Sequence, residues 1–162
     1  MRIYLGGAID LADPKAHSLF EEVSTALVSA LHGNAVIFNP FKAFVNANKT
    51  VEATHDSYVT AINHLALIES DWAVFIWSNA QSFGVPIEID RRVQEKKPLI
   101  VINLSGKAPG IYMRSAVIHS GLGHIYNSIE EMVNAITKHS FGAQDGSIPF
   151  SMLPYRSLER LT

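Results

Sequence analysis

The sequence predicts a single-domain α/β fold, in which a five-stranded parallel sheet lies between two layers of helices. Short apolar runs alternate along the chain with segments of helical periodicity, and this order is typical of strands joined by crossover helices. The run Trp72-Ala73-Val74-Phe75-Ile76-Trp77 is apolar throughout, as in a strand buried on both faces. Hydrophobic residues make up 48% of the chain and charged residues only 17%, which suits a sheet covered on both sides.

The length of the chain fits one domain with one core. Its 162 residues are enough to bury about two thirds of the unfolded surface. Residues 1–139 carry the alternating pattern and form the predicted α/β domain. The pattern fades over residues 140–162, a tail that we expect to pack on the body or on a neighbouring subunit, with a disordered tail as the alternative.

The elements of the first half are predicted from apolar runs and their breakers. A strand over 3–5 ends at Gly6-Gly7, and Pro14 opens an amphipathic helix that Gly33 stops. A second short strand over 35–38 ends in Asn39-Pro40. A long connection over 41–55 follows, and it is long enough to cover a ligand.

The second half continues the alternation of helices and strands. The predicted elements are a helix over 57–69, the central strand 72–77, a helix over 85–96, a strand over Leu99–Asn103, a short helical piece over 112–118 and a fifth strand over 124–126. Ser128 and Glu131 form a capping box that opens the last helix. The whole order predicts a three-layer sandwich of the flavodoxin or Rossmann style.

Several classes of function lose support from the composition. There are no cysteines, so disulfides, thiolate catalysis and sulfur-ligated metals are excluded. The net charge is −2, and the basic cluster Arg91, Arg92, Lys96 and Lys97 is explained by a solvated helix face, so we expect no nucleic-acid polymer as partner. No apolar run approaches the roughly 20 residues of a membrane helix, and no signal peptide is recognisable. We therefore expect a cytoplasmic protein.

The motifs of the common cofactors and metals are also missing. No GxGxxG follows the first strand, and Gly106-Lys107 stands in the wrong order for a phosphate loop. Neither His119 with His124 nor His55 with His64 has the spacing of a helical zinc motif. We therefore predict no metal, and dinucleotide redox chemistry and ATP hydrolysis lose their main support.

The segment after the central strand carries the most informative carboxylate. Residues 78–84 form a loop at the carboxyl end of that strand, the edge where open α/β sheets bind ligands. Glu88 then falls in the first turn of the next helix, whose dipole keeps it ionised near neutral pH unless burial opposes this. An ionised carboxylate there can attack an electrophilic carbon. The alternative is a glutamate that only stabilises the start of the helix.

Four segments, taken in order, resemble the nucleoside 2-deoxyribosyltransferase superfamily. They are Ile3-Tyr4-Leu5-Gly6-Gly7, Asn39-Pro40, Ser70-Asp71 and Gly84-Val85-Pro86-Ile87-Glu88. The resemblance covers residues 1 to about 138 and includes the related nucleoside 5′-monophosphate N-glycosidases. It implies a flavodoxin-like sheet and cleavage of an N-glycosidic bond, without a cofactor.

The resemblance also assigns catalytic roles. Glu88 matches the nucleophile that attacks the anomeric carbon and forms a glycosyl-enzyme. Asp71 matches the acid/base that protonates the leaving base, and its alternative is an ordinary turn aspartate. Tyr4 matches the tyrosine whose hydroxyl orients the nucleophile, and its alternative is a core tyrosine.

Substrate contacts are implied at six positions, namely Gly6, Gly7, Asp10, Phe38, Ser82 and Gly84. Ser82 stands where the transferases carry an aspartate for the sugar 5′-hydroxyl, and the N-glycosidases carry a serine there, which favours a nucleotide. Asp10 stands where those hydrolases hold the phosphate with an arginine, which favours a nucleoside. Phe38, Phe41 and Phe44 are candidates to stack on a base, although core packing is the more frequent use of such residues.

Three functions from different classes follow. The first is a glutamate-linked transfer of the sugar of a nucleoside or nucleotide to another free base, or its hydrolysis to free base and sugar phosphate. The second is a nucleotide-binding or sensing domain without turnover. The third is a structural subunit whose apolar surface serves assembly. The resemblance and the apolar tail favour a homodimer or a higher homo-oligomer.

Overall fold

The computed structural model describes residues 1–8, 14–44, 55–78, 82 and 84–140. It contains one five-stranded sheet, built from β1 (Arg2–Gly7), β2 (Val36–Phe38), β3 (Trp72–Trp77), β4 (Leu99–Asn103) and β5 (Gly123–Tyr126). The strand order is β2-β1-β3-β4-β5 and every pairing is parallel. This is the flavodoxin-like order, and the predicted α/β fold class is confirmed.

Six helices cover the two faces of the sheet. They are α1 (Pro14–Ala30), α2 (Pro40–Phe44), α3 (His55–Glu69), α4 (Gly84–Gln94), α5 (Ile111–His119) and α6 (Ile129–Ser140). Side chains of α1, α2 and α6 pack on one face around Val74 and Ile100. Side chains of α3, α4 and α5 pack on the other face around Phe75 and Val101. Alternate residues of each buried strand thus serve two cores, as a doubly covered sheet requires.

The central strand lies where the sequence predicts it. β3 spans Trp72–Trp77 and lies third of five in the sheet. The prediction of an unstructured connection from residue 41 is wrong for its first part, because α2 begins at Pro40. Asn39 caps this helix, since its Oδ1 accepts the Phe41 N–H at 3.0 Å, and proline suits the first helical position. Residues 45–54 lie outside the described residues.

The capping box that opens α6 is confirmed. The Ser128 hydroxyl accepts the Glu131 N–H at 3.0 Å, and the Glu131 carboxylate accepts the Asn127 N–H at 2.8 Å. The tail, apart from Ser140, lies outside the described residues, so its packing stays a prediction. Over the described part of the chain, none of the helices combines the length and apolarity that crossing a membrane demands.

A buried arginine ties the elements around β3 together. The guanidinium of Arg92 is fully buried and donates to the carbonyl oxygens of Leu67, Ser70, Asp71 and Pro98 at 3.0–3.1 Å. Burial lowers its pKa to about 10, while the charges of Glu95 and Asp71 oppose this, so it stays charged near neutral pH. The prediction of a solvated helix face is therefore wrong for Arg92, which instead fixes α4 against α3 and the sheet.

Candidate active site

The centre of the site is a hydrogen bond between a strand tyrosine and a helix glutamate. Tyr4 lies on β1, is fully buried, and its side chain points to the face covered by α3 and α4. Its hydroxyl donates to Oε1 of Glu88 at 2.8 Å. Phe38 stacks on the Tyr4 ring at 5.8 Å with an interplanar angle of 10°, and Phe75 lies tilted against it at 6.1 Å. The two phenylalanines hold the phenol in place.

Glu88 lies one residue deeper in its helix than the sequence predicts, just beyond the first turn. α4 begins at Gly84, so Glu88 is its fifth residue, and the prediction of a first-turn position is wrong. The stabilisation of an anion by the helix dipole falls off beyond the first turn. The charge state of this carboxyl group is therefore decided by burial and by Tyr4.

Burial opposes ionisation of Glu88. Desolvation raises its pKa from 4.5 to about 7, and the hydrogen bond from Tyr4 acts in the opposite direction. Burial, the charge of Glu88 and the same hydrogen bond raise the pKa of Tyr4 far above its usual value, so the phenol stays protonated and donates. Burial therefore brings the pKa of Glu88 close to neutral pH.

A cavity of about 450 Å³ opens beside Glu88, between α3 and α4. Gly7 lines it from the carboxyl end of β1, and Ser82 and Gly84 line it at the start of α4. The Ser82 hydroxyl also accepts the Val85 N–H at 3.4 Å. Four of the sequence-predicted positions, Glu88 among them, are thus brought to one cavity.

The other predicted substrate contacts lie elsewhere. Gly6 is packed under aromatic rings, where an added Cβ would be 2.7 Å from Phe75 Cδ1 and 2.9 Å from Tyr4 Cε1. Phe38 lines a second cavity beside β2 rather than the one at Glu88. Phe41 is buried in the core, as the more frequent use of such residues suggests. Asp10 and the side chain of Phe44 lie outside the description.

Asp71 is not brought to Glu88. It lies directly before β3, at the amino edge of the sheet, and its Oδ2 accepts the Arg2 N–H at 2.7 Å. Its side chain is exposed and does not line the cavity. This geometry matches the alternative of a turn aspartate, so we do not carry its acid/base role further.

Sequence reasoning missed the contribution of α3. Thr60, Asn63 and His64 all line the cavity opposite α4. Their spacing of three and four residues places them on one side of a helix. This polar stripe is the feature of the sequence that could have predicted a contribution of α3 to the site. From the sequence alone, His64 is considered only as a possible zinc ligand.

The solved structures similar to this chain confirm the fold. No protein-family model matches the sequence, and no curated protein matches it. A 2-deoxyribosyltransferase from Bacillus psychrosaccharolyticus superposes with a TM-score of 0.67 at 12% identity, over 83% of this chain and 91% of that one. A conserved protein from Enterococcus faecalis gives 0.61 at 16% identity, over 85% and 98% of the two chains. The CMP N-glycosidase BcmB from Clostridium botulinum gives 0.53 at 16% identity, over 83% and 96%. At these identities the similarity shows the fold alone: this chain shares its fold with a 2-deoxyribosyltransferase and with a CMP N-glycosidase.

Proposed function

We propose that this protein is an enzyme that cleaves the N-glycosidic bond of a nucleoside or nucleotide and transfers the sugar to another base. The observation that carries the proposal is the Tyr4–Glu88 hydrogen bond at the wall of an open cavity. It holds a half-buried carboxyl group by one oxygen, and among the described residues the other oxygen is left to react. The fold shared with a 2-deoxyribosyltransferase and a CMP N-glycosidase supports the substrate class.

The proposed reaction proceeds by two displacements at the anomeric carbon. Oε2 of ionised Glu88 attacks C1′, the C1′–N bond breaks, and its electron pair leaves with the base, which takes up a proton from water. The nitrogen of a second base then attacks C1′, the C1′–Oε2 bond breaks to release the Glu88 carboxylate, and the proton of the new base passes to water. Tyr4 keeps Oε1 engaged throughout and so orients the reacting oxygen.

Hydrolysis of a nucleoside 5′-monophosphate is the second candidate. It is favoured by Ser82, a neutral hydroxyl that lines the cavity at the start of α4. Backbone N–H groups at a helix start attract a phosphate, and a serine does not repel it. Water then takes the place of the second base.

The deciding experiment is chromatographic detection of free base. Wild type and Glu88→Gln are incubated with 2′-deoxynucleosides and their 5′-monophosphates, with and without a second free base. We expect base release by wild type and its loss in Glu88→Gln, because the amide is a far weaker nucleophile. A new nucleoside identifies transfer, and free sugar phosphate identifies hydrolysis. Binding without any turnover would reject both enzymatic readings in favour of a sensing domain.

A further inference from the structure

The cavity beside Glu88 contains a buried acceptor that none of the described residues satisfies. Asn63 on α3 is only 9% exposed and lines the cavity together with Glu88 and Ser82. Its Oδ1 atom is buried and has no hydrogen-bond partner among the described residues. Burying an amide oxygen without a donor is unfavourable, so such atoms are uncommon unless a partner arrives from outside.

The packing of α3 against α4 places Asn63 level with Glu88. Each helix connects two parallel strands, so both run from the carboxyl edge of the sheet to its amino edge. The Arg92 guanidinium joins them lower down, where it donates to the Leu67 carbonyl at 3.0 Å. One turn back along α3 from Leu67 is Asn63, and one turn back along α4 from Arg92 is Glu88. The two side chains therefore face the cavity from opposite walls at the same height.

We propose that Asn63 is a substrate-binding residue, whose Oδ1 accepts a hydrogen bond from a donor of the molecule bound at Glu88. The inference rests on the proposed function, and it adds Asn63 on α3 as a second polar contact of the cavity beside Glu88. A nucleoside offers two kinds of donor to such an oxygen, an N–H of the base and an O–H of the sugar. Either donor would satisfy the buried Oδ1. Binding of the free base and of the free sugar, tested separately, distinguishes the two.

The role of Asn63 is measured by calorimetric binding to the Glu88→Gln protein, in which substrates stay intact. The probes are 2′-deoxyadenosine, 2′-deoxycytidine and their 5′-monophosphates, with adenine, cytosine and 2-deoxyribose as fragments. A second change to Asn63→Leu removes the acceptor at similar volume, and Asn63→Asp keeps an oxygen acceptor. Leu65→Ala is the matched control, because Leu65 lies on the same helix, is 55% exposed and does not line the cavity.

We expect Asn63→Leu to weaken nucleoside binding at least tenfold, and Asn63→Asp and Leu65→Ala to change it less than threefold. A matching loss with adenine or cytosine assigns the donor to the base, and a loss with 2-deoxyribose alone assigns it to the sugar. Thermal unfolding of the ligand-free Asn63→Leu protein should occur at an equal or higher temperature, since a buried unpaired amide has been removed.

Equal affinity of the Asn63→Leu and parent proteins would overturn the inference. If the melting temperature of Asn63→Leu were also lower, Asn63 would be a purely structural residue. The proposed function is judged separately. If wild type turns over substrate but binding does not depend on Asn63, this inference alone is rejected. If binding depends on Asn63 but no turnover occurs, the proposed reaction alone is rejected.

Discussion

The paired groups Tyr4 and Glu88 show how one hydrogen bond sets the chemistry of a residue. Burial favours the neutral form of Glu88, and the phenol of Tyr4 favours the charged form by donating to it at 2.8 Å. The balance leaves the pKa of Glu88 at about 7. A carboxylate with a raised pKa is a stronger nucleophile than an ordinary one, and a pKa close to neutral pH still leaves an ionised form to react.

Replacing Tyr4 by phenylalanine should therefore shift the pH dependence of activity. The hydrogen bond that lowers the pKa of Glu88 is lost, so its pKa rises above about 7 and a smaller fraction is ionised at any given pH. The acid limb of log kcat/KM against pH should move to higher pH, and activity at pH 6 should fall at least about tenfold. At pH 9 the loss should be smaller.

The control for this change is Tyr112→Phe, which makes the same chemical alteration at a tyrosine on α5 that is 89% exposed. Its pH profile should coincide with that of wild type. An acid limb of Tyr4→Phe at the wild-type position would show that the phenol does not govern the ionisation of Glu88.

Among single residues, the sequence located Glu88 and Tyr4 better than it predicted their surroundings, since the structure joins the two by a hydrogen bond. Glu88 follows a recognisable buried strand, so its side of the sheet is predictable from topology. The pKa of Glu88 was not predictable, because it depends on how closely α3 and α4 pack over it. Topology argues against placing Asp71 beside Glu88. Asp71 directly precedes β3 and so lies at the amino edge of the sheet, whereas the loop that follows β3 lies at the opposite, carboxyl edge.

At the level of elements, α4 is the helix that positions Glu88, the proposed nucleophile. It holds Glu88 near its start, and one turn later Arg92 anchors it to four carbonyl oxygens from the end of α3, the start of β3 and the residue before β4. These carbonyls have one buried cation as their common donor. The orientation of α4, and hence of Glu88, depends on this anchor.

Replacing Arg92 by leucine should strongly destabilise the protein. The change removes four hydrogen bonds and leaves buried carbonyl oxygens without that donor, so we expect a loss of about 3–5 kcal/mol in the free energy of unfolding. Denaturant unfolding followed by circular dichroism measures this loss. Arg91→Leu is the matched control on the same helix, since Arg91 pairs with Glu95 at 2.8 Å near the surface and should cost less than about 1 kcal/mol. Equal losses in both variants would refute the anchoring role.

The extents of most elements were predictable, and their side-chain partners were not. Continuous apolar runs mark β3 and β4 closely, because a strand buried on both faces tolerates few polar residues. The short helix α2 was missed because its five residues carry too little periodicity, and its Asn39 cap stands before a proline that equally suits a turn. The polar stripe of α3 was visible as spacing, but its orientation toward α4 follows from packing alone.

For the whole molecule, the parallel sheet explains why the candidate site is where it is. Crossover helices return the chain so that every strand points the same way, and all loops that follow strands gather at one edge. That edge and the adjoining groove between α3 and α4 hold Gly7, Ser82 and Glu88. The alternation of strands and helices predicted this arrangement. Assembly into a homodimer or a higher homo-oligomer stays a prediction.

The central claim is that Glu88 forms a covalent glycosyl-enzyme. Its most direct test is mass spectrometry of the intact protein and of its peptides, after the reaction is quenched during turnover without an acceptor base. We predict a covalent adduct equal to the substrate minus its base, carried by the peptide that contains Glu88, with no adduct in Glu88→Gln. The claim would be contradicted if wild type released base without an adduct and Glu88→Gln released base at the same rate, because the carboxylate would then take no part in breaking the bond.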